Sequence, residues 1–265
     1  MSTDAAQDTF EGVAYQVQEE VYFDDGRELE LLRYVLNHRR IDQLKGNPQA
    51  VLDTIDEFGR TQKYLMNIGA YKSKTVVDLI KSKRPKVMVE LGGYVGYSAI
   101  AFGAAQREAG GETYYSLEKS AEFGHVIEKL VDLAGLSEVV KVKVGSSSDS
   151  LKQLHADGAL TFIDLLFLDH YKPLYTPDLK LCEELGLIGV GTVLAADNVI
   201  KPGNPPYLEY VRSSVEEKKR RLTDGPKSDP KGNPNLEYES QLVKGWEPSG
   251  VPDAIEISRC ISIHE

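Results

Sequence analysis

Acidic residues stand at the ends of short apolar runs in this chain, where they could act on a bound ligand. Glu90 lies in VMVEL, Glu118 follows YYSL, Asp169 follows LLFL, and Asp197-Asn198 follow VLAA. Apolar runs of this length are typical of buried parallel strands. Because ligands bind beyond the carboxyl ends of such strands, we expect these acidic side chains to meet at one edge of a sheet.

Three of these residues offer the hard oxygen atoms that Mg²⁺ prefers, namely Asp169, Asp197 and Asn198. Each aspartate alone could simply cap the helix that follows it. Two such residues on neighbouring strands, with Lys172 three residues after the first, favour a magnesium site. His170 has no partner acid in the sequence pattern, which favours a packing or hydrogen-bonding role over that of a catalytic base.

The glycines of ELGGYVGY point to a ligand without a pyrophosphate. The segment lacks the dinucleotide pattern G-x-G-x-x-G, because Tyr94 and Tyr97 replace its second and third glycines. A plain turn between strand and helix remains possible for this motif alone. Glu118, however, can accept hydrogen bonds from both ribose hydroxyls of an adenosine, as in dinucleotide-binding folds. The combination favours S-adenosylmethionine and disfavours an NAD-dependent dehydrogenase.

The elements that must position these residues follow from hydrophobic periodicity. Helical spacing begins at Glu28, near Asn47-Pro48 and at Gly69, and the last of these helices ends before Pro85. Short apolar runs then alternate with segments of helical composition, which predicts a mostly parallel α/β sheet with helices on both faces and an antiparallel C-terminal edge. The predicted strands are 86–91, 113–117, 139–144, 162–168, 192–196, 236–243 and 254–263.

Composition excludes several classes of protein. The 265 residues include 31 Lys and Arg and 41 Asp and Glu, a formal net charge of −10, which argues against nucleic acid as a partner. No apolar run approaches the ~18 residues of a membrane span, and the first residues do not form a secretory signal. We therefore predict no membrane anchor and a cytoplasmic location. Cys182 and Cys260 make neither a disulfide framework nor a metal cluster.

The charge pattern also suggests where the domain begins. Residues 1–30 hold nine acidic residues and one basic residue, which predicts an acidic extension over 1–26 that is mobile or loosely docked. A single domain is then expected over 27–265, with its N-terminal helices at 28–83. The stretch GPKSDPKGNPN at 225–235 predicts a long mobile loop. The sequence leaves the oligomeric state open, with a monomer favoured.

Ordered blocks of sequence over about residues 30–265 resemble the catechol O-methyltransferases. The blocks are LNH at 36–38, GNPQAVLDTIDEF at 46–58, MNIG at 66–69, VELGGYVGYSA at 89–99, LVDLAG at 130–135, FLDHYK at 167–172, CEELGLIGVGTVLAADNVIKPGNP at 182–205 and LEY at 236–238. The resemblance implies a Rossmann-like class I methyltransferase. Such an enzyme transfers a methyl group from S-adenosylmethionine to one hydroxyl of a small catechol, with the help of Mg²⁺.

The resemblance also implies roles for single residues. Asp169, Asp197 and Asn198 would hold Mg²⁺, Lys172 would be the general base, and Glu237 of LEY would bind the second catechol hydroxyl. The implied cofactor contacts are Met66, Ile68, Glu90, Gly92, Tyr94, Ser98, Glu118, Ser147, Asp169 and His170. The implied substrate contacts are Tyr64, Tyr171, Lys172, Asn198, Pro202 and Glu237.

Some positions depart from that family. Tyr64 and Tyr171 stand where relatives often carry tryptophan, and Lys201 replaces a smaller uncharged residue beside Pro202. These departures bear on substrate preference more than on the reaction. One alternative is a cation-dependent methyltransferase for phenylpropanoid or other vicinal-dihydroxy aromatic substrates. A more distant alternative is a non-catalytic protein that binds S-adenosylmethionine, which loss of Lys172 or of a metal ligand would indicate.

Overall fold

Four helices precede the first strand in the part of the chain that the computed structural model describes, residues 9–222 and 230–265. They are α1 (Arg27–Leu36), α2 (Ile41–Leu44), α3 (Pro48–Thr61) and α4 (Gly69–Lys83). The start of α3 follows directly from its sequence. Asn47 Oδ1 accepts the N–H of Ala50 at 3.1 Å, and Pro48 takes the first helical position, where no hydrogen-bond donor is needed.

Seven strands form one sheet in the order β3-β2-β1-β4-β5-β7-β6. The first five are parallel, and β7 is antiparallel to both β5 and β6. The strands are β1 (Val87–Leu91), β2 (Thr113–Glu118), β3 (Val140–Val144), β4 (Leu165–Leu168), β5 (Val193–Ala196), β6 (Leu236–Trp246) and β7 (Pro252–Ile263). The predicted α/β class, the mostly parallel sheet and its antiparallel edge are therefore confirmed.

Helices cover both faces of this sheet because its central strands are apolar on both sides. Met88 of β1 packs into the core beneath α1, α3 and α4, whereas Val89 packs into the core on the other face. The remaining helices are α5 (Tyr97–Glu108), α6 (Ala121–Leu133), α7 (Ser147–Ala156), α8 (Tyr175–Glu184), α9 (Pro205–Arg212) and α10 (Val215–Arg221). Among the described residues, none of the helices combines the length and the apolar character that a membrane span requires.

The strand order reverses direction between β1 and β4, and this is where the fold opens a crevice. The chain steps outward from β1 to β2 and β3, and then returns to the other side of β1 with β4 and β5. The helices that follow β1 and β4, α5 and α8, therefore pack on opposite faces of the sheet. In open α/β sheets a ligand binds at this point, beyond the carboxyl ends of the strands.

The described part of the predicted extension, residues 9–26, lies against the domain through Tyr15. Tyr15 is buried; its N–H donates to Pro248 O at 2.9 Å and its hydroxyl to Asp56 Oδ1 at 2.5 Å. Composition could not predict this, because one buried aromatic ring and a few backbone hydrogen bonds leave no periodic pattern. Residues 1–8 of the predicted extension, and 225–229 of the predicted loop, lie outside the described residues.

Candidate active site

A cavity of about 490 Å³ lies at the carboxyl ends of the strands. It runs from the end of β2 to the loop after β5, and it contains most of the side chains that the sequence predicted to be functional. The predicted residues that line it are Tyr64, Met66, Ile68, Gly92, Tyr94, Ser98, Glu118, Ser147, Asp169, His170, Tyr171, Lys172, Asn198 and Pro202. Asp197 lies buried directly before Asn198, whereas Glu90 and Glu237 do not line the cavity.

The glycine loop after β1 forms the floor of this cavity. Gly92 has a φ of +91°, and a Cβ atom there would lie 2.5 Å from the backbone oxygen of Asp169. Only glycine therefore allows the loops after β1 and β4 to approach so closely. The motif that the sequence singled out thus sets the width of the cavity at the point where the two loops meet.

Glu118 holds the glycine loop from the end of β2. Its Oε2 accepts the N–H groups of Gly93 at 3.1 Å and Tyr94 at 2.9 Å, and its Oε1 accepts the N–H of Ser120 at 2.8 Å. Each carboxylate oxygen can accept more than one hydrogen bond. Glu118 lines the cavity and therefore retains acceptor capacity toward a ligand while it fixes the loop.

Glu90 lies beneath the loop, fully buried in β1. It accepts hydrogen bonds from Ser116 Oγ at 2.5 Å and from Tyr114 Oη at 2.6 Å. Burial raises the pKa of Glu90 to about 7, although these donors act in the opposite direction. Because Glu90 is covered by other residues, it supports the floor of the cavity and does not face the cavity itself.

Lys172 links the residues that were predicted to bind a metal ion. Its Nζ lies 3.3 Å from Asp169 Oδ1 and 2.7 Å from Asn198 Oδ1, so oxygen atoms from the ends of β4 and β5 converge on one positive charge. Nζ also donates to the hydroxyl of Tyr175 at 2.6 Å. Burial raises the pKa of Asp169, and the negative charge of Asp197 adds to this effect, whereas Lys172 opposes it. This arrangement favours a bound cation.

A second cluster, centred on Lys72, was not predicted from the sequence. Lys72 Nζ lies 2.8 Å from Asp197 Oδ2, 2.6 Å from Glu247 Oε1 and 2.8 Å from Asp253 Oδ2. Burial alone would lower the pKa of this lysine, but the three carboxylates outweigh burial and raise it. The three acids could hold a metal ion by their spacing, yet the ammonium group already occupies their centre. The sequence signal that could have indicated this cluster is Lys72 itself, a charged residue on the apolar face of α4.

The structure does not bring Glu237 to the site, and the residue found there is Glu247. The strand β6 runs in the same direction as β5, so Glu237, at its start, lies about 30 Å from the edge where the strand ends. Glu237 instead accepts hydrogen bonds from Ser262 and His264. Glu247 directly follows β6, lines the cavity and accepts the side-chain N–H of Asn198 at 2.5 Å. The role predicted for Glu237 therefore has to be reassigned.

His170 has the acidic partner that the sequence pattern did not reveal. Its Nε2 lies 3.0 Å from Asp178 Oδ2, and the same carboxylate oxygen accepts the hydroxyl of Ser147. The ring stacks on Tyr175 with 4.9 Å between the centroids. Burial lowers the pKa of His170. These contacts fix the imidazole in the wall of the cavity, as expected of a packing and hydrogen-bonding residue.

Aromatic residues line the end of the cavity next to Lys172. Tyr64 is buried in the wall, whereas Tyr171 and Pro202 are exposed at the rim. The segment before α1 adds Gln18 and Glu19 to this wall, which no sequence signal indicated. A flat aromatic molecule would fit between these surfaces, with its edge facing Lys172.

With this geometry in place, comparisons with known proteins identify the family. The model of a family described as O-methyltransferase matches residues 46–223. The chain belongs to this O-methyltransferase family. The matched range includes every residue predicted to bind the metal ion or the cofactor, and it excludes Glu247, Asp253 and the segment before α1.

Curated relatives agree with the resemblance seen in the sequence. Catechol O-methyltransferase of Mus musculus is 38% identical over 188 residues, 71% of this chain and 69% of that protein. The enzyme of the same name from Bos taurus is 37% identical over 188 residues, 71% of this chain and 67% of that protein. The transmembrane O-methyltransferase of Homo sapiens is 35% identical over 181 residues, 68% of this chain and 60% of that protein. The prediction of an enzyme that resembles the catechol O-methyltransferases is confirmed.

Solved structures show the same fold at lower sequence identity. An O-methyltransferase from Bacillus cereus in complex with SAH has a TM-score of 0.56 at 18% identity, and covers 89% of this chain and 97% of that one. The O-methyltransferase TomG from Streptomyces achromogenes, in complex with SAM, has a TM-score of 0.54 at 17% identity, and covers 91% of this chain and 100% of that one. The Rossmann-like methyltransferase fold is therefore confirmed.

Proposed function

We propose that this enzyme transfers a methyl group from S-adenosylmethionine to one hydroxyl of a catechol, that the reaction depends on Mg²⁺, and that Lys172 is the general base. The contact that carries this proposal is that of Lys172 Nζ with oxygen atoms of both Asp169 and Asn198. A base that touches two candidate metal ligands stands beside any hydroxyl bound at the same metal ion. The named catechol O-methyltransferases among the relatives support the same substrate class.

The residues present fit a bound Mg²⁺ ion. Asp169, Asp197 and Asn198 supply three oxygen donors from the ends of two adjacent strands. Asp169 lines the cavity, and the negative charge of Asp197 nearby adds to the effect of burial in raising the pKa of Asp169. A divalent cation held by both carboxylates would offset this repulsion between them. When bound, Mg²⁺ supplies positive charge that lowers the pKa of a coordinated hydroxyl.

The residues also fit S-adenosylmethionine. Glu118 retains acceptor capacity toward ribose hydroxyls, and Met66, Ile68 and Ser98 line the same cavity between Glu118 and the Lys172 end. The cofactor, when bound, supplies a methyl group on a positively charged sulfur atom.

The chemical roles then follow from the positions of the side chains. Lys172 takes the proton from the hydroxyl that is to be methylated. Glu247 accepts a hydrogen bond from the second hydroxyl, the role first predicted for Glu237. Tyr64, Tyr171 and Pro202 hold the ring by its faces. Catalysis depends mainly on alignment, because a well-positioned pair of reactants can gain about 7–11 kcal/mol over the reaction in solution.

A methyl-transfer assay over a panel of ring compounds tests the proposal. Catechols should be methylated in the presence of Mg²⁺, and the matching monophenols should be poor substrates because one of their two oxygen contacts is missing. Failure to methylate any catechol, with the purified enzyme binding S-adenosylmethionine, would overturn the proposal. Turnover of phenylpropanoid diols in place of simple catechols would support the first alternative. The non-catalytic alternative requires a missing base or ligand, and Lys172, Asp169, Asp197 and Asn198 are all present.

A further inference from the structure

We propose that Lys201 selects catechols that carry an anionic substituent, in particular a carboxylate, on the side of the ring away from the two hydroxyls. This inference rests on the proposed function and names the substrate class within it. Lys201 lies in the loop Val199–Gly203 after β5, is exposed, and lines the cavity beside Pro202.

The carboxylates that face the cavity already have partners. Glu19 is paired with Arg27 at 2.7 Å, Asp169 with Lys172 at 3.3 Å, and Glu247 with Lys72 at 2.6 Å. Glu118 accepts three backbone N–H groups. Their negative charges are therefore largely compensated from within the protein.

The lysines of the cavity differ in whether a carboxylate compensates their charge. Lys172 contacts Asp169, but Lys201 and Lys119 make no ion pair within the described ranges. Lys119 directly follows Glu118, at the end of the cavity that fits the nucleoside. Lys201 is thus the uncompensated positive charge at the end that fits the methyl acceptor.

Depth in the cavity decides which part of the acceptor meets Lys201. Glu247 is buried, and Lys172 and Asn198 are half-buried, so the two hydroxyls point inward. Tyr171, Lys201 and Pro202 are exposed at the rim, so the opposite edge of the ring points outward, toward Lys201. A substituent at that edge therefore lies next to the ammonium group.

The backbone of Lys201 is held firmly, which fixes the point from which its flexible side chain extends. Asp253 Oδ1 accepts the N–H groups of Ile200 at 3.1 Å and Lys201 at 2.9 Å, while Oδ2 of the same carboxylate contacts Lys72. The loop that presents Lys201 is thus anchored to the cluster that also holds Asp197 and Glu247. Glu19, on the facing wall, does not cancel the charge, because both of its oxygen atoms bind Arg27.

The test compares three catechols with an anionic, a neutral and a cationic substituent of similar length: 3,4-dihydroxyphenylacetate, its amide, and 3,4-dihydroxybenzylamine. In the wild-type enzyme we expect kcat/KM to be roughly 3- to 5-fold higher for the acid than for the amide, and lowest for the amine, with the difference mainly in KM. Added salt should shrink this preference, because the lysine is exposed.

Two variants of the same position and one control complete the experiment. In Lys201→Gln, kcat/KM for the acid should fall to the value for the amide, and kcat/KM for the amide should stay the same. In Lys201→Glu, kcat/KM should be higher for the amine than for the acid. Lys119→Gln, at the other end of the cavity, should leave the order unchanged. If catechols are methylated but Lys201→Gln keeps the preference for the acid, or no such preference exists, the inference is wrong and the proposed function stands. If no catechol is methylated, the proposed function itself fails.

Discussion

Lys72 and Asp197 form a buried ion pair of 2.8 Å, although 125 residues separate them in the chain. The pair joins α4, in the helical layer before the sheet, to the carboxyl end of β5, where the predicted metal ligands lie. The same ammonium group also compensates Glu247 and Asp253. The helices that precede the sheet thus cover one of its faces and also supply the positive charge of Lys72. This charge allows three carboxylates to be buried together.

Glu247→Gln should lower kcat/KM for a catechol about 10-fold, because the amide replaces one of the two oxygen atoms that can accept a hydrogen bond from the second hydroxyl. The matched control is Glu237→Gln, at the distant end of the same strand, which should leave the kinetics unchanged. Steady-state kinetics of each variant with one catechol and its monophenol measure the change in kcat/KM. A loss of activity in Glu237→Gln alone would contradict the placement of Glu247 in the site.

Lys172→Met should reduce kcat by about 10²- to 10⁴-fold, the usual effect of removing a positioned base. The affinity for S-adenosylmethionine should remain close to that of the wild type, because the lysine contacts Asp169, Asn198 and Tyr175 at the acceptor end of the cavity. Kinetics and calorimetric titration of the cofactor measure the two effects separately. An unchanged kcat would mean that Lys172 is a structural residue.

Chelation of divalent cations should abolish turnover, and added Mg²⁺ should restore it. We expect Asp169→Asn to require a much higher Mg²⁺ concentration for half-maximal rate, because one anionic oxygen is replaced by a neutral one. Glu239→Gln, an exposed acidic position in β6, serves as the control. Full activity of chelator-treated enzyme would refute the assignment of Asp169, Asp197 and Asn198.

Glu90 should make the free energy of unfolding depend on pH. Burial raises its pKa from 4.5 to about 7, so the folded state keeps a proton that the unfolded state releases at lower pH. The resulting stabilisation is present below about pH 4.5 and is lost as the pH rises to about 7; by linkage its size is about 3 kcal/mol. Glu90→Gln should therefore flatten the decrease in stability across this range. Urea unfolding at several pH values measures it, and parallel curves for both proteins would contradict the argument.

Removal of residues 1–20 should raise KM for the acceptor about 10-fold while affecting cofactor affinity less. The truncation removes the hydrogen bonds of Tyr15 and Gln18 to the turn that carries Glu247. A hydrogen bond between partly buried groups is worth about 0.5–1.5 kcal/mol, so the loss of both accounts for this factor. Val13→Ser, an exposed change in the same segment, is the control. An unchanged KM in the truncated enzyme would show that the segment does not shape the site.

The sheet could be predicted from the sequence because each strand is an apolar run bounded by clear breaks, and the strand-end acids followed from it. The position of Glu247 could not be predicted in the same way. The sequence LEY at 236–238 matched the resemblance and led to Glu237. The topology instead places the site at the other end of β6, where Glu247 follows the strand. Lys72 and Tyr15 were missed for a related reason. Their partners come from distant parts of the chain, and no local pattern records such contacts.

The contact between the first described segment and the last hairpin has a consequence for how the enzyme matures. Tyr15 donates to Pro248, and Ser249 donates to Gln18 at 2.7 Å, so residues more than 230 positions apart close the acceptor end of the cavity. Contacts between such distant positions form late in folding, because a long loop must close before they can be made. During synthesis, the residues of the nucleoside end of the cavity and their partner Asp178 all leave the ribosome before Glu247. The residues proposed to bind the methyl donor are therefore all synthesised before the last side chain of the acceptor site.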